Sequence, residues 1–433
     1  MKIGIISLGC SKNLVDTENL IGVLQHSNQE ITYNLNEAEA IFINTCGFID
    51  DAKEEAINTI LEMSEYKQKN CKKLVVMGCL SERYYDSLVE EFPEVDCFLP
   101  IKKYKQLGPI LTDVLGVTIV NSYGKSPQVL TGKPWLAYLK IADGCNNRCS
   151  YCAIPLIRGN YTSYPIEDLI ENAKSLAEKG VKELNIVAQD TTCYGKDLYG
   201  KRRLLDLLCE LNKIDELKWI RVLYMYPDEI DDELLYGMSK LNKVLPYFDI
   251  PLQHGVDRVL KSMNRRGSTT SILNKINKIR EIFKRPVLRT TIIVGFPGES
   301  DEDFEGCLKF ISLSKWNRLG SFAYSKEEDT AAYNFDNEVS NEVKEERLKK
   351  LMDLQNEISQ KVNEVVVGEI LEVVTEKKDG LTGFYYGRSV YNAPDGIDGS
   401  VIFKSDRVLN YGEFCKVRIN RVKNHNFYGE IVG

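Results

Sequence analysis

The chain has 433 residues, of which 43% are hydrophobic and 27% are charged, and its formal net charge is −7. These values are ordinary for a soluble globular protein, and the length suggests about three domains at roughly 150 residues each. The apolar start is too short for a signal peptide and no stretch is long enough to span a bilayer, so we expect a cytoplasmic protein. The acidic balance argues against a protein whose main task is to bind a phosphate backbone, and it favours a basic partner such as a ribosomal protein.

Three short apolar runs near the N-terminus have the length of strands, and each is followed by a cysteine. The runs and their cysteines are 2–9 with Cys10, 40–45 with Cys46, and 73–78 with Cys79. Helical patterns over 15–25 and 50–66 lie between the runs, so the alternation predicts a doubly wound parallel sheet. Since the carboxyl ends of parallel strands meet at one edge, the three cysteines predict a metal site with three thiolates. The alternative is that Cys46 and Cys79 are only small residues at tight turns.

A second group of three cysteines lies on one short loop. The region 117–134 contains Gly, Ser and Pro without helical periodicity, which is typical of a linker, and the apolar run 135–142 then predicts a strand. The strand leads into Cys145-Asn-Asn-Arg-Cys149-Ser-Tyr-Cys152. This C-x-x-x-C-x-x-C spacing suits a 4Fe–4S cluster in which one iron has no protein ligand.

Two other interpretations of this loop are open. A structural zinc ion would need a fourth Cys or His ligand, and the next candidates in the chain are the distant Cys193 and His254. Three buried cysteines acting as small hydrophobic residues fit poorly with the polar residues around them.

Further apolar runs after residue 180 predict five more strands, and helical patterns such as 165–179 lie between strands. Six strands with crossovers predict a partial (β/α)6 barrel, in which functional groups lie at the carboxyl ends of strands. The residues at these ends are Gln189, Asp190, Gln253, His254 and Gly295 to Glu299. We interpret His254 as a hydrogen-bonded loop residue rather than a proton-transfer group.

The C-terminal part has a different pattern. A charged amphipathic pattern over 341–365 predicts a long helix, and short β segments over 364–433 predict a small closed barrel of the OB type. Residues 364–433 include ten acidic and nine basic residues, so this barrel is at least as plausible a binding site for a protein as for a nucleic acid.

Cluster cysteines directly after a first barrel strand resemble those of the radical S-adenosylmethionine (SAM) enzymes. This resemblance implies that the cluster held by Cys145, Cys149 and Cys152 binds SAM. It further implies that one electron breaks the sulfonium bond of SAM to give a 5′-deoxyadenosyl radical.

All three segments together resemble the methylthiotransferases. The motif Ser7-Leu-Gly-Cys-Ser-Lys-Asn-Leu-Val-Asp-Thr-Glu18 is similar to that of the RimO branch, whereas the tRNA-modifying branches carry Gln-Met-Asn or Lys-Val-Asn after the first cysteine. Val187-Ala-Gln-Asp-Thr-Thr192 and Asp249-Ile-Pro-Leu-Gln-His254 are also similar to the RimO branch. The implied organisation is an N-terminal α/β domain (1–116), a linker (117–134), a radical SAM core (135–362) and a TRAM β-barrel (364–433).

One segment departs from the family pattern. After Ile154-Pro-Leu-Ile-Arg-Gly159 the family continues with a serine flanked by arginines, whereas this chain has Tyr161-Thr-Ser-Tyr164.

The resemblance implies addition of a methylthio group to the β-carbon of an aspartate in the small-subunit ribosomal protein uS12. It implies two 4Fe–4S clusters, one on Cys10, Cys46 and Cys79 and one on Cys145, Cys149 and Cys152, together with SAM and an electron donor such as flavodoxin or ferredoxin. An alkyl C–H bond is not acidic enough for a side-chain base to deprotonate, so no acid–base residue is assigned. The nearer alternative is methylthiolation of a tRNA adenosine, and the more distant one is a non-catalytic, metal-binding, RNA-associated protein.

Overall fold

The computed structural model describes residues 1–124 and 127–432, so Lys125 and Ser126 of the predicted linker lie outside the described residues. The chain forms two compact units. Unit 1 comprises Met1–Gly180, Val187–Gln189 and Glu327–Thr330, and unit 2 comprises the rest of the described chain.

The described residues of unit 1 contain eight strands and seven α-helices. The strands are β1 (Lys2–Ser7), β2 (Glu30–Ile31), β3 (Ala40–Thr45), β4 (Lys73–Gly78), β5 (Cys97–Pro100), β6 (Leu136–Lys140), β7 (Ala142–Asp143) and β8 (Thr162–Ser163). The helices are α1 (Ser11–His26), α2 (Asp50–Ser64), α3 (Cys79–Arg83), α4 (Tyr85–Glu91), α5 (Leu107–Leu115), α6 (Ile154–Arg158) and α7 (Ile166–Glu178), with 3-10 turns at Leu35–Glu37, Glu65–Gln68 and Ile101–Gln106.

The first five strands form one parallel sheet in the order β2-β1-β3-β4-β5. Side chains alternate along β3, so Phe42 packs with the core that includes α1 and α5, while Ile41 and Ile43 pack with the core that includes α2. Helices on both faces explain why β3 is buried at every position. The predicted doubly wound parallel sheet is confirmed. The strands β2 and β5 are not predicted from the sequence, because two and four residues are too few to show a period.

The sheet order brings the N-terminal cysteines to one edge. The neighbouring strands β1, β3 and β4 are followed by Cys10, Cys46 and Cys79 respectively. The chain passes from β1 to β2 on one side and then to β3 on the other, and such a reversal opens a crevice at the carboxyl ends of the strands.

The described part of the predicted linker packs against α1. Glu18 on that helix is buried, and it accepts hydrogen bonds from Gln128 Nε2 (2.6 Å) and Thr131 N (3.0 Å). This segment therefore contributes to the packing of unit 1.

Unit 2 begins with parallel β/α structure and ends with a barrel. Its strands are β9 (Glu183–Val187, of which Val187 belongs to unit 1), β10 (Trp219–Val222), β11 (Tyr247–Asp249), β12 (Val287–Val294), β13 (Arg318–Ala323), β14 (Ile370–Lys378), β15 (Tyr385–Arg388), β16 (Val401–Lys404), β17 (Phe414–Lys423) and β18 (Asn426–Ile431). Its helices are α8 (Lys196–Tyr199), α9 (Leu204–Leu211), α10 (Asp232–Met238), α11 (Asp257–Ser262), α12 (Thr269–Ile282), α13 (Asp301–Ser314) and α14 (Asn341–Asn363), with 3-10 turns at Pro227–Glu229, Ala331–Asn334 and Glu364–Val366.

The strand pairing in unit 2 agrees with the predicted alternation. Strand β10 pairs with β9 in parallel, and β12 pairs in parallel with both β11 and β13. Together with β6, these five strands are the six that the sequence predicts after residue 134. Strands β14 to β18 close a barrel in the order β14-β15-β16-β18-β17, which confirms the predicted C-terminal barrel. Within the described chain, the helices are all too short or too polar to cross a bilayer.

Candidate functional site

The first three-thiol site lies at the carboxyl edge of the sheet in unit 1. Cys10 is exposed, Cys46 is half-buried and Cys79 is buried. Gly9 has φ +86°, and a Cβ atom there would lie 2.9 Å from the Cβ of Cys46. Only glycine therefore allows the loop that carries Cys10 to approach Cys46 this closely.

Asn13 connects the three loops of this first site. It is fully buried, and its Nδ2 donates to Thr45 O (2.9 Å) and to Leu8 O (3.3 Å). Its Oδ1 accepts from Cys79 Sγ at 3.5 Å. One amide side chain thus contacts the residue before Cys46, the loop before Cys10, and Cys79 itself.

The second three-thiol site is the loop between β7 and β8. These strands pair antiparallel at its base, and Cys145 N donates to Gly159 O at 3.1 Å. Gly144 has φ +73°, and a Cβ atom there would lie 2.2 Å from Asn160 O, so the loop can close only with glycine at this position. Cys145, Cys149 and Cys152 are all half-buried. The loop is accordingly fixed at both ends.

Four charges lie beside the two sites and all belong to unit 1; Asp16, Lys140 and Arg158 are buried, and Asp143 is half-buried. The Lys140 ammonium contacts Asp16 and lies 2.7 Å from Asp143 Oδ2. The Arg158 guanidinium lies 3.0 Å from Asp16 Oδ2 and 2.8 Å from Asp143 Oδ1. Two cations and two anions thus balance each other in the interior, as buried charges must.

The pKa shifts in this cluster favour the charged forms. Burial raises the pKa of Asp143, but Lys140 and Arg158 outweigh it and hold that pKa below its usual range. Burial lowers the pKa of Lys140, and Asp143 and Asp16 more than restore it. The same two carboxylates keep the pKa of Arg158 above its ordinary value despite its burial. Lys140, Arg158 and Asp143 are therefore ionised at neutral pH.

The thiols of the first site differ in ionisation. Desolvation by the surrounding protein atoms raises the pKa of Cys10, but Lys12, the backbone N–H of Asn13 and Arg158 outweigh it, so that the pKa is lowered overall. Burial raises the pKa of Cys46, and it raises that of Cys79 to about 11. Cys10 is the thiol of this site that ionises most easily.

We expect iodoacetamide to alkylate Cys10 of the metal-free protein more than about tenfold faster than Cys79 at about pH 8, because the thiolate is the nucleophile. The exposure of Cys10 and the burial of Cys79 act in the same direction. Quenched time points read by peptide mass spectrometry give both rates. Cys307, which is fully buried with a pKa raised to about 12 by burial, is the unreactive control. Faster labelling of Cys79 than of Cys10 would contradict the arrangement described above.

The donor atoms fit iron–sulfur clusters. All twelve cysteines of the chain are thiols. Three of them follow the neighbouring strands β1, β3 and β4, and three lie on the loop between β7 and β8. A set of three thiolates leaves one iron of a 4Fe–4S cluster without a protein ligand. N–H groups also point at the sulfur atoms, since Asn147 N lies 3.5 Å from Cys145 Sγ and Arg158 Nη2 lies 3.7 Å from Cys79 Sγ. Within residues 1–124 and 127–432, no three His, Cys, Asp or Glu side chains are grouped so as to hold a single metal ion.

Most of the polar residues predicted at the strand ends of unit 2 have structural contacts. Asp190 accepts from Thr192 N at 3.0 Å, and Glu299 pairs with Arg347 at 3.1 Å. His254 is fully buried, and its Nδ1 accepts from Val256 N at 3.1 Å. Burial lowers the pKa of His254 to about 4, so the ring is neutral at pH 7. These contacts support the interpretation of His254 as a loop residue.

The segment that departs from the family pattern lies next to the buried charges. Tyr161 N donates to Asn146 Oδ1 at 3.1 Å. Tyr164 OH donates to Asp143 Oδ2 at 3.3 Å, and the Lys140 ammonium lies 5.9 Å from the centre of its ring. A neutral phenol thus interacts with the charge cluster in a segment where the family carries arginines.

Asn13, Asp16 and Arg158 lie in motifs quoted for the family resemblance, but neither they nor Lys140 were predicted to contact the thiol sites. The signal that could have found them is a polar or charged residue within an apolar pattern. Lys140 lies inside the apolar run 135–142, and Asn13 and Asp16 lie three positions apart on one face of α1.

Three family models and several full-length relatives match this chain. A family model of the radical SAM superfamily matches residues 139–311, one described as uncharacterized protein family UPF0004 matches residues 2–100, and a TRAM domain model matches residues 367–432. A ribosomal protein uS12 methylthiotransferase RimO from Caldicellulosiruptor saccharolyticus is 46% identical over 442 residues and covers 100% of both chains. The protein of the same name from Acetivibrio thermocellus is 44% identical over 448 residues, which is 100% of this chain and 98% of that one.

Among solved structures, the radical SAM methyltransferase TsrM from Kitasatospora setae shares the fold. It superposes with a TM-score of 0.56 at 12% identity, and the match covers 74% of this chain and 72% of that one. The identities of 44% and 46% to uS12 methylthiotransferases, each over the full length of this chain, show the family more specifically than the shared fold does. The chain therefore belongs to the RimO family of radical SAM methylthiotransferases, which use SAM and two 4Fe–4S clusters.

Proposed function

We propose that this protein adds a methylthio group to the β-carbon of an aspartate in the small-subunit ribosomal protein uS12. The observation that carries the proposal is that both groups of three thiols lie in one compact unit. The buried Arg158 contacts Cys79 of one group and Asp143 at the base of the loop that carries the other. The relatives that span the full chain are named for this modification.

The two sites have separate tasks in this proposal. Cys145, Cys149 and Cys152 hold the cluster that binds SAM, and Cys10, Cys46 and Cys79 hold the other cluster. The SAM-binding cluster, with SAM, would supply a 5′-deoxyadenosyl radical for hydrogen abstraction. The other cluster would supply the sulfur of the methylthio group.

The side chains around the thiols orient them. Asn13 contacts all three loops of the first site, and Arg83 donates to Gly47 O at 3.0 Å and pairs with Glu327 at 2.8 Å. These contacts fix the first site before any group binds. An aliphatic C–H bond has no proton that a base of tuned pKa could remove, so no side chain is given an acid or base role.

The proposal also covers the electron donor, the location of the protein, the role of the barrel and the division into domains. Electrons come from a flavodoxin or a ferredoxin, the protein works in the cytoplasm, and the C-terminal barrel docks the ribosomal substrate. The division into 1–116, 117–134, 135–362 and 364–433 is part of the proposal. It is supported by the end of α14 at Asn363 and the start of β14 at Ile370.

The test is an anaerobic reaction of the reconstituted protein with SAM and a reductant. Unmodified uS12 and unmodified tRNA are offered separately, digested and read by mass spectrometry. A methylthio mass on one aspartate of uS12 is the expected result. The same mass on a tRNA adenosine, with uS12 unchanged, would replace the substrate but keep the chemistry.

A further inference from the structure

The guanidinium of Arg158 contacts a thiol of the first site and an aspartate at the base of the loop that carries the second. Its Nη2 lies 3.7 Å from Cys79 Sγ and 2.7 Å from Asn13 Oδ1, while its Nη1 lies 2.8 Å from Asp143 Oδ1. Asp143 is the second residue of β7, at the base of the loop that carries Cys145. Only 2% of the Arg158 side chain is exposed. One buried cation therefore links Cys79 of the first site to Asp143 at the base of the second loop.

These contacts require an arginine. The guanidinium is planar and carries N–H donors on two edges, so it can bind Asp143 with one nitrogen and the first site with the other. An ammonium group is a single point of charge and cannot span both. The backbone around Arg158 is fixed as well, because α6 ends at this residue and Gly159 O then accepts from Cys145 N at 3.1 Å.

We propose that Arg158 is a positioning residue that raises the reduction potential of the cluster held by Cys10, Cys46 and Cys79. The inference rests on the proposed function, in which that cluster is present. A cationic N–H donor at a cysteine sulfur stabilises the more negative, reduced state of a cluster. Burial strengthens this effect, because the charge is not screened by water.

The buried charge cluster supplies a matched control. Lys140 and Arg158 carry the same charge and pair with the same two carboxylates, Asp16 and Asp143. Arg158 also donates to Cys79 Sγ, whereas the two ion pairs of Lys140 are with carboxylates. The double variants Arg158→Gln/Asp16→Asn and Lys140→Gln/Asp16→Asn therefore each remove one cation and one anion, but only the first removes the donor at the sulfur.

The experiment uses the full chain with Cys145, Cys149 and Cys152 replaced by alanine, so that only the first site can hold a cluster. The protein is reconstituted with iron and sulfide, titrated with dithionite and redox mediators, and read by electron paramagnetic resonance. At the potential where the parent is half-reduced, we expect Arg158→Gln/Asp16→Asn to show a ratio of reduced to oxidised cluster about tenfold lower, which is about 59 mV for one electron. The Lys140→Gln/Asp16→Asn variant is expected to match the parent within about twofold, a change of less than about 18 mV by the same relation.

Unchanged potentials in both double variants, or equal shifts in both, would overturn the role of Arg158 while leaving the cluster assignment intact. Failure of the parent to bind iron would instead overturn the cluster assignment, and the inference with it. If the Arg158→Gln double variant does not take up a cluster, Arg158→Lys decides the matter. That variant keeps the charge but not the two-edged contact, so we expect a lower potential, and a potential equal to the parent's would contradict the inference.

Discussion

Replacement of Cys149 by alanine is expected to abolish SAM cleavage and to halve the iron content of the reconstituted protein. Cys149 lies on the loop closed at its base by β7 and β8, and removal of one of three thiolates leaves that loop unable to hold a cluster. Replacement of Cys79 should also halve the iron content. In that variant, however, 5′-deoxyadenosine should still form from SAM, while methylthio transfer to substrate is lost.

The two variants together test whether the sites act separately. Iron per chain, 5′-deoxyadenosine and methylthio product are measured on the same preparations. Cys209→Ala is the matched control, because Cys209 is a half-buried thiol on α9 of unit 2, outside both sites. Loss of SAM cleavage in Cys79→Ala, or full iron content in Cys149→Ala, would contradict the assignment of the six cysteines.

A buried carboxylate stabilises unit 2. Replacement of Glu183 by glutamine is expected to lower the free energy of unfolding by about 3–5 kcal/mol, because it leaves two buried arginines without their shared anion. Glu183 and Arg221 are both fully buried, with Oε1 and Nε 3.1 Å apart. Arg388 is 3% exposed, and its Nη2 lies 2.7 Å from the other carboxylate oxygen at an angle that misses hydrogen-bond geometry. The carboxylate thereby joins β9 and β10 to the barrel strand β15.

Urea unfolding followed by tryptophan fluorescence measures this change, since Trp219 pairs with Glu183 in the sheet register. Glu210→Gln is the control. Glu210 forms an exposed ion pair with Lys213, so its replacement should change the free energy of unfolding by no more than about 0.5 kcal/mol. Equal losses in the two variants would contradict the stabilising role of the buried carboxylate.

The same carboxylate predicts a dependence of stability on pH. Burial raises the pKa of Glu183, but Arg388 and Arg221 outweigh it and hold the pKa below its ordinary value. A group whose pKa is lowered on folding stabilises the folded state above its unfolded pKa, which is about 4.3 for glutamate. We therefore expect the difference between wild type and Glu183→Gln to be constant at neutral pH and to shrink as the pH falls below about 4.

The sequence by itself determined the elements and the thiols. The strands that precede Cys46 and Cys79 have the predicted bounds in the structure, because a run of apolar residues bounded by glycine or cysteine is a local pattern. The loop Cys145 to Cys152 was also predicted from the sequence, since the spacing of three cysteines on one loop by itself indicates a cluster-binding loop. The alternation of strands and helices then predicted which edge of the sheet carries Cys10, Cys46 and Cys79.

Only the tertiary structure decided which side chains surround those thiols. Arg158 donates to a cysteine 79 positions away, and Lys140 contacts an aspartate 124 positions away. Nothing in the local sequence around either partner specifies the other, because the pairing of two buried charges depends on where the fold brings them. The same holds for Glu183, whose two arginines lie on β10 and β15. Periodicity predicts that a residue is buried, but only the packing of distant elements determines the opposite charge that makes its burial stable.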